Sequence, residues 1–240
     1  MPSADTAAGK LVRLPLRLIP KGSVVPILAT AARGKKWIAG SGPHSCWLGF
    51  NEHRQRRVFS REVRPGAVVW DVGANVGSYT ILASVLVGPH GHVEAFEPVG
   101  ENVQYLRRHV ALNHLVNVTV HETAVYGRSG RIRFASSEDR VLGRIDELAG
   151  VLEVEARTVD GLVEEGIAPP PDVMKIDVEG GEVAVLKGAL GVLDERGPVI
   201  FLSTHGEGLK AECVELLARI GYRVEAIDRA GAELLARPAP

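Results

Sequence analysis

The chain has 240 residues, a formal net charge of −1 and 45 % hydrophobic content. That length and composition suffice for a sizeable core in one large domain or at most two, and the near-zero charge leaves no basic field of the kind nucleic-acid binding uses. Two cysteines, Cys46 and Cys213, lie far apart without metal-ligand spacing, so a reduced, cytoplasmic protein without a disulfide framework is expected.

Residues 1–10 are small and polar and read as a loose start. Leu11 to Ile19 is apolar but interrupted by Arg13, Arg17 and Pro15, and no stretch reaches the roughly 18 uninterrupted apolar residues of a membrane span, so no stable membrane insertion is expected. Residues 11–50 read as irregular, with Trp37, Trp47 and a turn at Ser41-Gly42-Pro43-His44 before the run to Phe50. Residues 1–50 form an N-terminal extension that either covers a ligand site or packs on the domain, which occupies 51–240. Glu52 to Val63 suits a helix with Arg56, Arg57 and Arg61 on exposed faces.

Val68 to Val72 then reads as a buried strand, residues 73–77 as a tight glycine-spaced loop, and the run from Val76 as a helix. Gly73 and Gly77 allow close backbone approach to a ligand, Ala74 and Asn75 complete the loop, and the helix is expected to aim free amides at that ligand. Asp71 falls at the carboxyl end of the strand, where open α/β sheets bind ligands. The next strand, His92 to Phe96, delivers Glu97. A dinucleotide site calls for G-x-G-x-x-G, whereas G-x-x-x-G preceded by an acid suits S-adenosylmethionine, whose ammonium and sulfonium welcome a carboxylate.

A helix over Val99 to Asn113 with Val103, Leu106 and Val110 on its apolar stripe follows, and then a strand over Asn117 to His121. This alternation predicts an α/β fold with a parallel, doubly wound sheet. Between residues 127 and 156 the alternation of Arg131 to Phe134 and Leu152 to Ala156 predicts a small antiparallel β excursion, joined by a polar connection over 136–150. Thr158 to Gly166 reads as a short helix, Asp172 to Asp177 as a strand, Glu182 to Leu190 as a helix, and Pro198 to Thr204 as a strand ending at His205. Leu209 to Ile220 reads as an amphipathic helix and Gly221 onward as a final strand or hairpin with a loose tail after Arg237. Asp71, Glu97, Asp177 and His205 therefore stand at carboxyl ends of parallel strands and can converge on one crevice.

Val69-Trp70-Asp71-Val72-Gly73-Ala74-Asn75-Val76-Gly77, Ala95-Phe96-Glu97-Pro98, Arg157-Thr158-Val159-Asp160 and Lys175-Ile176-Asp177-Val178-Glu179-Gly180-Gly181-Glu182 resemble the FkbM-type family of S-adenosylmethionine-dependent methyltransferases. The resemblance runs from about Trp47 to His205. It implies a class I, Rossmann-like methyltransferase fold: a mostly parallel seven-stranded sheet with helices on both faces and an antiparallel last strand. It also implies O-methylation of a small hydroxylated acceptor, a secondary metabolite or sugar. Phe201-Leu202-Ser203-Thr204-His205 departs from the family pattern, in which an acid often precedes the histidine, so no catalytic role passes to Ser203.

Methyl transfer to a hydroxyl needs in-line positioning and a base. Asp177 is the first candidate, and His205, with an ordinary pKa near 6.5, is the second. Glu179 is expected to face the acceptor, and Glu182 to favour its helix N-terminus. Asp71, Gly73, Ala74, Asn75, Gly77, Glu97 and Asp177 are the donor-binding candidates, with Thr123 marking the adenine end. The spacing of Asp177, Glu179 and His205 is not diagnostic of a metal site, and no metal is assigned. Two competing readings are a catalytically inactive methyltransferase-like binding module and a nicotinamide-dependent oxidoreductase, the latter disfavoured by the missing third glycine.

Overall fold

Apolar, β-branched runs bounded by Gly and Pro become the strands, and the 3.6-period segments between them become the helices that cover both sheet faces. The structure is a computed structural model that describes residues 16, 18–49, 52–136, 143–145 and 152–239. The predicted loose start, Phe50 and most of the polar connection over 136–150 lie outside the described residues.

In chain order the described elements are β1 (Val24–Pro26), β2 (Lys36–Ile38), the helices His44–Leu48 and His53–Glu62, β3 (Val68–Val72), the helix Ser78–Val87, β4 (His92–Phe96), the helix Gly100–Leu112 and β5 (Val118–His121). There follow β6 (Ala124–Val125), β7 (Gly130–Ser136), β8 (Gly143–Ile145), β9 (Leu152–Arg157), the helix Val159–Glu164, β10 (Val173–Ile176), the helices Glu182–Lys187 and Leu190–Arg196, β11 (Val199–Ser203), the helix Glu207–Arg219, β12 (Tyr222–Ala226) and β13 (Glu233–Pro238).

Seven strands form one sheet in the order β12-β13-β11-β10-β3-β4-β5. The pairings from β11 to β5 are parallel, and β13 lies antiparallel between β11 and β12. Strands buried on both faces alternate between two cores. Trp70, Val72, Met174, Ile176, Ile200 and Leu202 face one, while Val69, Val93, Val173 and Phe201 face the other with Phe59, Tyr79 and Leu82. Full burial of such side chains contributes roughly 1.5–3 kcal/mol each. The excursion is a separate sheet, β6-β9-β7-β8, antiparallel as expected at β7–β9 and β7–β8 but parallel at β6–β9. Among the described residues no helix is long and apolar enough to cross a membrane.

Three expectations are corrected. The helix from Glu182 stops at Lys187 and a second one runs over Leu190–Arg196. At the break, a Cβ on Gly188 would stand 2.4 Å from the Tyr126 carbonyl oxygen, so the chain passes too closely there for a regular side-chain-bearing helix surface. The tail continues in β13 to Pro238, and Ala239 N–H donates to the Gly221 carbonyl at 2.7 Å. Residues 11–50 are more regular than predicted, because β1 and β2 pair as an antiparallel hairpin.

That hairpin is fastened to the helix Gly100–Leu112. Trp37, fully buried, stacks on His109 with ring centroids 4.2 Å apart, and the Ile38 N–H donates to His109 Nε2 at 3.0 Å. His109 Nδ1 lies 2.7 Å from the Val76 carbonyl, so the ring is held neutral, donating through Nδ1 and accepting at Nε2. Burial therefore drives its pKa down to about 4. The unfolded chain binds this proton near pH 6.5, so the stabilisation is complete above that value and is lost as pH falls towards 4. The protein is expected to be about 2 kcal/mol less stable at pH 5 than at pH 7.5 on this account. Urea denaturation at both pH values checks it, with His109→Gln showing a flatter dependence; an equal slope in the variant would remove His109 as the cause.

Candidate active site

Strand order reverses direction of growth between β3 and β10, which is where open α/β sheets form their ligand crevice. The register sets Lys175 of β10 directly opposite Asp71 of β3, and both side chains face the same side of the sheet as Val69 and Val173. A cavity of ≈ 240 Å³ opens there. Asp71, the 73–76 loop, Lys175, Asp177 and Glu179 line it, and Pro43 and Cys46 of the N-terminal segment complete its wall. The segment thus both packs, through Trp37 and Trp47, and borders the site.

The glycine loop is tied down by its own amides. Gly73 and Ala74 donate to the Phe96 carbonyl at 3.0 and 2.9 Å, Asn75 to Glu97 Oε2 at 2.8 Å, and Gly77 to Ala74 at 2.9 Å. Val76 N–H donates to Asn75 Oδ1 at 2.7 Å, so the Asn75 side chain organises the loop, with its backbone at a φ of 51°. From Gly73 to Gly77 every amide has a protein acceptor, so the loop itself offers no amide cradle to a pyrophosphate. Gly73 has φ 79°, and a Cβ there would stand 1.9 Å from the Asp177 carbonyl oxygen, because the loops after β3 and β10 cross in contact.

Asp71 accepts from Thr80 Oγ1 at 2.6 Å through Oδ2, and its Oδ1, in a side chain only 1 % exposed, has no hydrogen-bond partner in the protein. Burial pushes this carboxyl up against the pull of Lys175 and Thr80. An orphaned acceptor on a wall without free loop amides suits a cationic ligand. Glu97 sits behind the loop, holding Asn75, the Val99 N–H at 3.0 Å and Asn102 Nδ2 at 3.1 Å, with burial raising its pKa.

Lys175 was quoted in the sequence motif without a role, yet it is central to the charge balance. Its Nζ donates to Asp177 Oδ2 at 2.9 Å and stands 4.8 Å from the Tyr79 ring centroid. Burial acts to lower this ammonium, but Asp177 and Asp71 outweigh it and hold the pKa above the ordinary lysine value. Burial raises Asp177 in turn, and Lys175 overcomes that, holding the carboxyl below its usual range. The legible signal was a lone lysine inside the apolar strand Val173–Ile176. Arg56, expected on an exposed face, is only 4 % exposed: its guanidinium carbon lies 4.6 Å from the Tyr79 ring centroid, and it donates to Ser78 Oγ at 2.6 Å. An arginine on a polar-looking helix gives no such signal.

Asp177 and Glu179, both on the cavity wall, come together with His205. His205 Nε2 lies 3.2 Å from Glu179 Oε2 and 3.8 Å from Asp177 Oδ1, while Nδ1 lies 2.7 Å from Glu182 Oε1. Glu182 is fully buried and also accepts the Gly180 N–H at 2.9 Å, so its work is to brace His205 and the turn as well as to begin a helix. The hydrogen bond to Glu182 and the flanking carboxylates lift His205 to about 9, above the ordinary histidine value near 6.5, so the groups around it favour the protonated ring. Burial raises Glu179, which has a φ of 52°.

Thr123 is set apart from these residues. Its hydroxyl donates to the Glu155 carbonyl at 3.0 Å, and it lines another cavity with His121, Glu122 and Glu155. Sequence reasoning also passed over Glu233 of β13, which accepts from Ser203 Oγ at 2.9 Å and from Gln55 Nε2, and whose burial raises its pKa to about 7.

Residues 71–224 match the model of the methyltransferase FkbM domain. The chain is 31 % identical over 145 residues to the hexuronic acid methyltransferase AglP of Haloferax volcanii, a match spanning 60 % of this chain and 59 % of that protein. It is 30 % identical over 200 residues to the 31-O-demethyl-FK506 methyltransferase FkbM of Streptomyces tacrolimicus, covering 69 % and 76 % of the two chains. In fold it resembles an S-adenosylmethionine-dependent O-methyltransferase from Thermotoga maritima, with a TM-score of 0.53 at 14 % identity over 94 % of this chain and 81 % of the other. It likewise resembles the FkbM methyltransferase of Methylobacillus flagellatus, with a TM-score of 0.51 at 19 % identity over 82 % and 55 %. With a class I methyltransferase sheet, a glycine loop closed to phosphate and a matched domain that begins at Asp71, the chain belongs to the FkbM family of S-adenosylmethionine-dependent methyltransferases.

Proposed function

We propose that this protein methylates a hydroxyl oxygen of a small sugar-like or metabolite acceptor. The observation that carries this reading is the single cavity bordered at one end by Asp71 and the glycine loop and at its rim by Asp177 and Glu179. The names of the two relatives, one a hexuronic acid methyltransferase and the other acting on a 31-O-demethyl substrate, support a hydroxylated acceptor.

S-adenosylmethionine supplies an electrophilic methyl group on a sulfonium. Asp71 would receive the donor's ammonium, the loop from Gly73 through Ala74 and Asn75 to Gly77 would shape its seat with Glu97 holding that loop from behind, and Thr123, just after β5, would mark the adenine end. Asp177, poised by Lys175, and Glu179 orient the acceptor hydroxyl and take its proton as the oxygen bonds to the methyl carbon and the old bonding pair stays on sulfur. His205, braced by Glu182, positions both carboxylates. The N-terminal extension over 1–50 and the insertion over 127–156 supply acceptor contacts on this reading.

Calorimetric titration with S-adenosylhomocysteine tests it. One site per chain is expected, with affinity at least about 10-fold lower in Asp71→Asn, the loss of one charge-assisted contact. A well-folded wild type that binds none would sink the reading; binding justifies a screen of hydroxylated sugars and metabolites as acceptors.

A further inference from the structure

Asp177, Glu179 and His205 each present one ligand-type atom, and the three atoms lie within 4.8 Å of one another. The other polar atoms of two of these groups are already committed. Asp177 gives Oδ2 to Lys175 at 2.9 Å, which leaves Oδ1 on the His205 side, and His205 gives Nδ1 to Glu182 at 2.7 Å, which leaves Nε2 beside Glu179. The separations of 3.2 and 3.8 Å from Nε2 are both longer than the roughly 3 Å expected between neighbouring ligands on an octahedral ion with bonds of about 2.1 Å, so the three groups need only close in slightly around an ion.

A second observation concerns Glu182, the residue behind His205. Glu182 is 0 % exposed and its Oε2 has no partner in the protein, yet its Oε1 is aimed at the histidine. Burying a carboxylate to this degree is costly, and a carboxylate behind the imidazole, fixing the ring so that Nε2 points forward, is the outer partner that metal-ligating histidines use. The unpartnered Asp71 Oδ1 adds a further buried acceptor in the adjoining cavity.

We infer that Asp177, Glu179 and His205 form a divalent-cation site, with Glu182 orienting the histidine and the ion displacing the Nε2 proton of the ring to solvent, and that the bound ion chelates the acceptor through its reacting hydroxyl and a neighbouring hydroxyl or carboxylate. Two carboxylate oxygens and one imidazole suit Mg²⁺ or Mn²⁺ and leave about three octahedral positions for such a pair and water. The ion would lower the pKa of the bound hydroxyl. The acceptor class this selects is the vicinal diol or the hydroxy acid. This part rests on the function proposed above, whereas binding of the ion itself does not.

The test is titration of the full-length, chelator-treated protein with Mn²⁺, with free ion counted by electron paramagnetic resonance, in the absence and presence of S-adenosylhomocysteine. One Mn²⁺ per chain is expected, with affinity falling at least about 10-fold in Glu179→Gln and in His205→Ala, each checked for folding by circular dichroism. Should His205→Ala fail to fold, the rim substitution Glu179→Gln carries the test. A wild type that binds S-adenosylhomocysteine but no Mn²⁺ overturns the ion site, leaves a histidinium salt bridge only, and keeps the methyltransferase reading. Mn²⁺ binding of equal affinity in the variants places the ion elsewhere and overturns the proposal as well. Mn²⁺ binding lost in the variants of a protein that ignores S-adenosylhomocysteine upholds the ion site and removes the donor reading instead.

Discussion

Gly73→Ala is expected to weaken S-adenosylhomocysteine binding by at least about 100-fold, or roughly 3 kcal/mol. Two costs coincide at this residue. Its φ of 79° is left-handed, which costs a residue with a Cβ roughly 1–2 kcal/mol, and the new Cβ would stand 1.9 Å from the Asp177 carbonyl oxygen and 2.8 Å from its carbon. Neither atom is the end of a flexible side chain, so the β3 loop or the β10 loop must move, and between them these loops hold Asp71, Asn75 and Asp177. Gly66→Ala provides the control. Its φ is 85°, but a Cβ there meets nothing within 4 Å, so only the conformational cost applies. A lower melting temperature with unchanged binding is expected for Gly66→Ala, against lost binding for Gly73→Ala. Equal binding in the two variants would show that contact between the loops does not shape the donor seat.

Asp177→Asn is expected to lower kcat by about 10²–10³-fold while S-adenosylhomocysteine affinity changes little, the range seen when a positioned acid–base group is lost. The amide keeps the shape of the carboxylate and can still accept from Lys175, now 2.9 Å from Oδ2, so the fold is retained. What disappears is the negative charge that faces the acceptor and balances the buried ammonium. Lys175→Met is the companion variant: it leaves Asp71 and Asp177 as neighbouring buried carboxylates without their cation, and their pKa values should rise. Single-turnover rates with a responsive acceptor check both. A kcat within about threefold of wild type for Asp177→Asn would remove Asp177 from the chemical step and move the role to Glu179.

The class of fold, the strands that build the central sheet and the two loops that make the crevice were all legible in the amino-acid sequence, because each is written in local terms. Apolar runs bounded by Gly and Pro mark β3, β4, β10 and β11, and an acid or glycine at a strand's end is a position that can be read without knowing its neighbours. The break at Gly188 and the hairpin in residues 11–50 were not legible, since short elements are set by what they pack against. Arg56 was misplaced for the same reason: its burial depends on Tyr79 and Ser78, on a helix it meets only in the folded chain.

By itself, then, the sequence determined a crevice at the strand switch point with Asp71, Gly73 and Asp177 at strand ends, because hydrophobic period and turn chemistry are properties of neighbouring residues. Tertiary structure alone decided what these groups are to one another. Register placed Lys175 opposite Asp71, more than a hundred positions away, and made an ion pair network of what read as isolated acids. Folding placed fully buried Glu182 behind His205 and raised the pKa of a histidine expected to titrate near neutrality to about 9. It also spent the loop's amides on Phe96, Ala74, Asn75 and Glu97. Charge and proton affinity depend on distance and burial in three dimensions, and neither quantity exists along a chain until strands are paired and water is excluded.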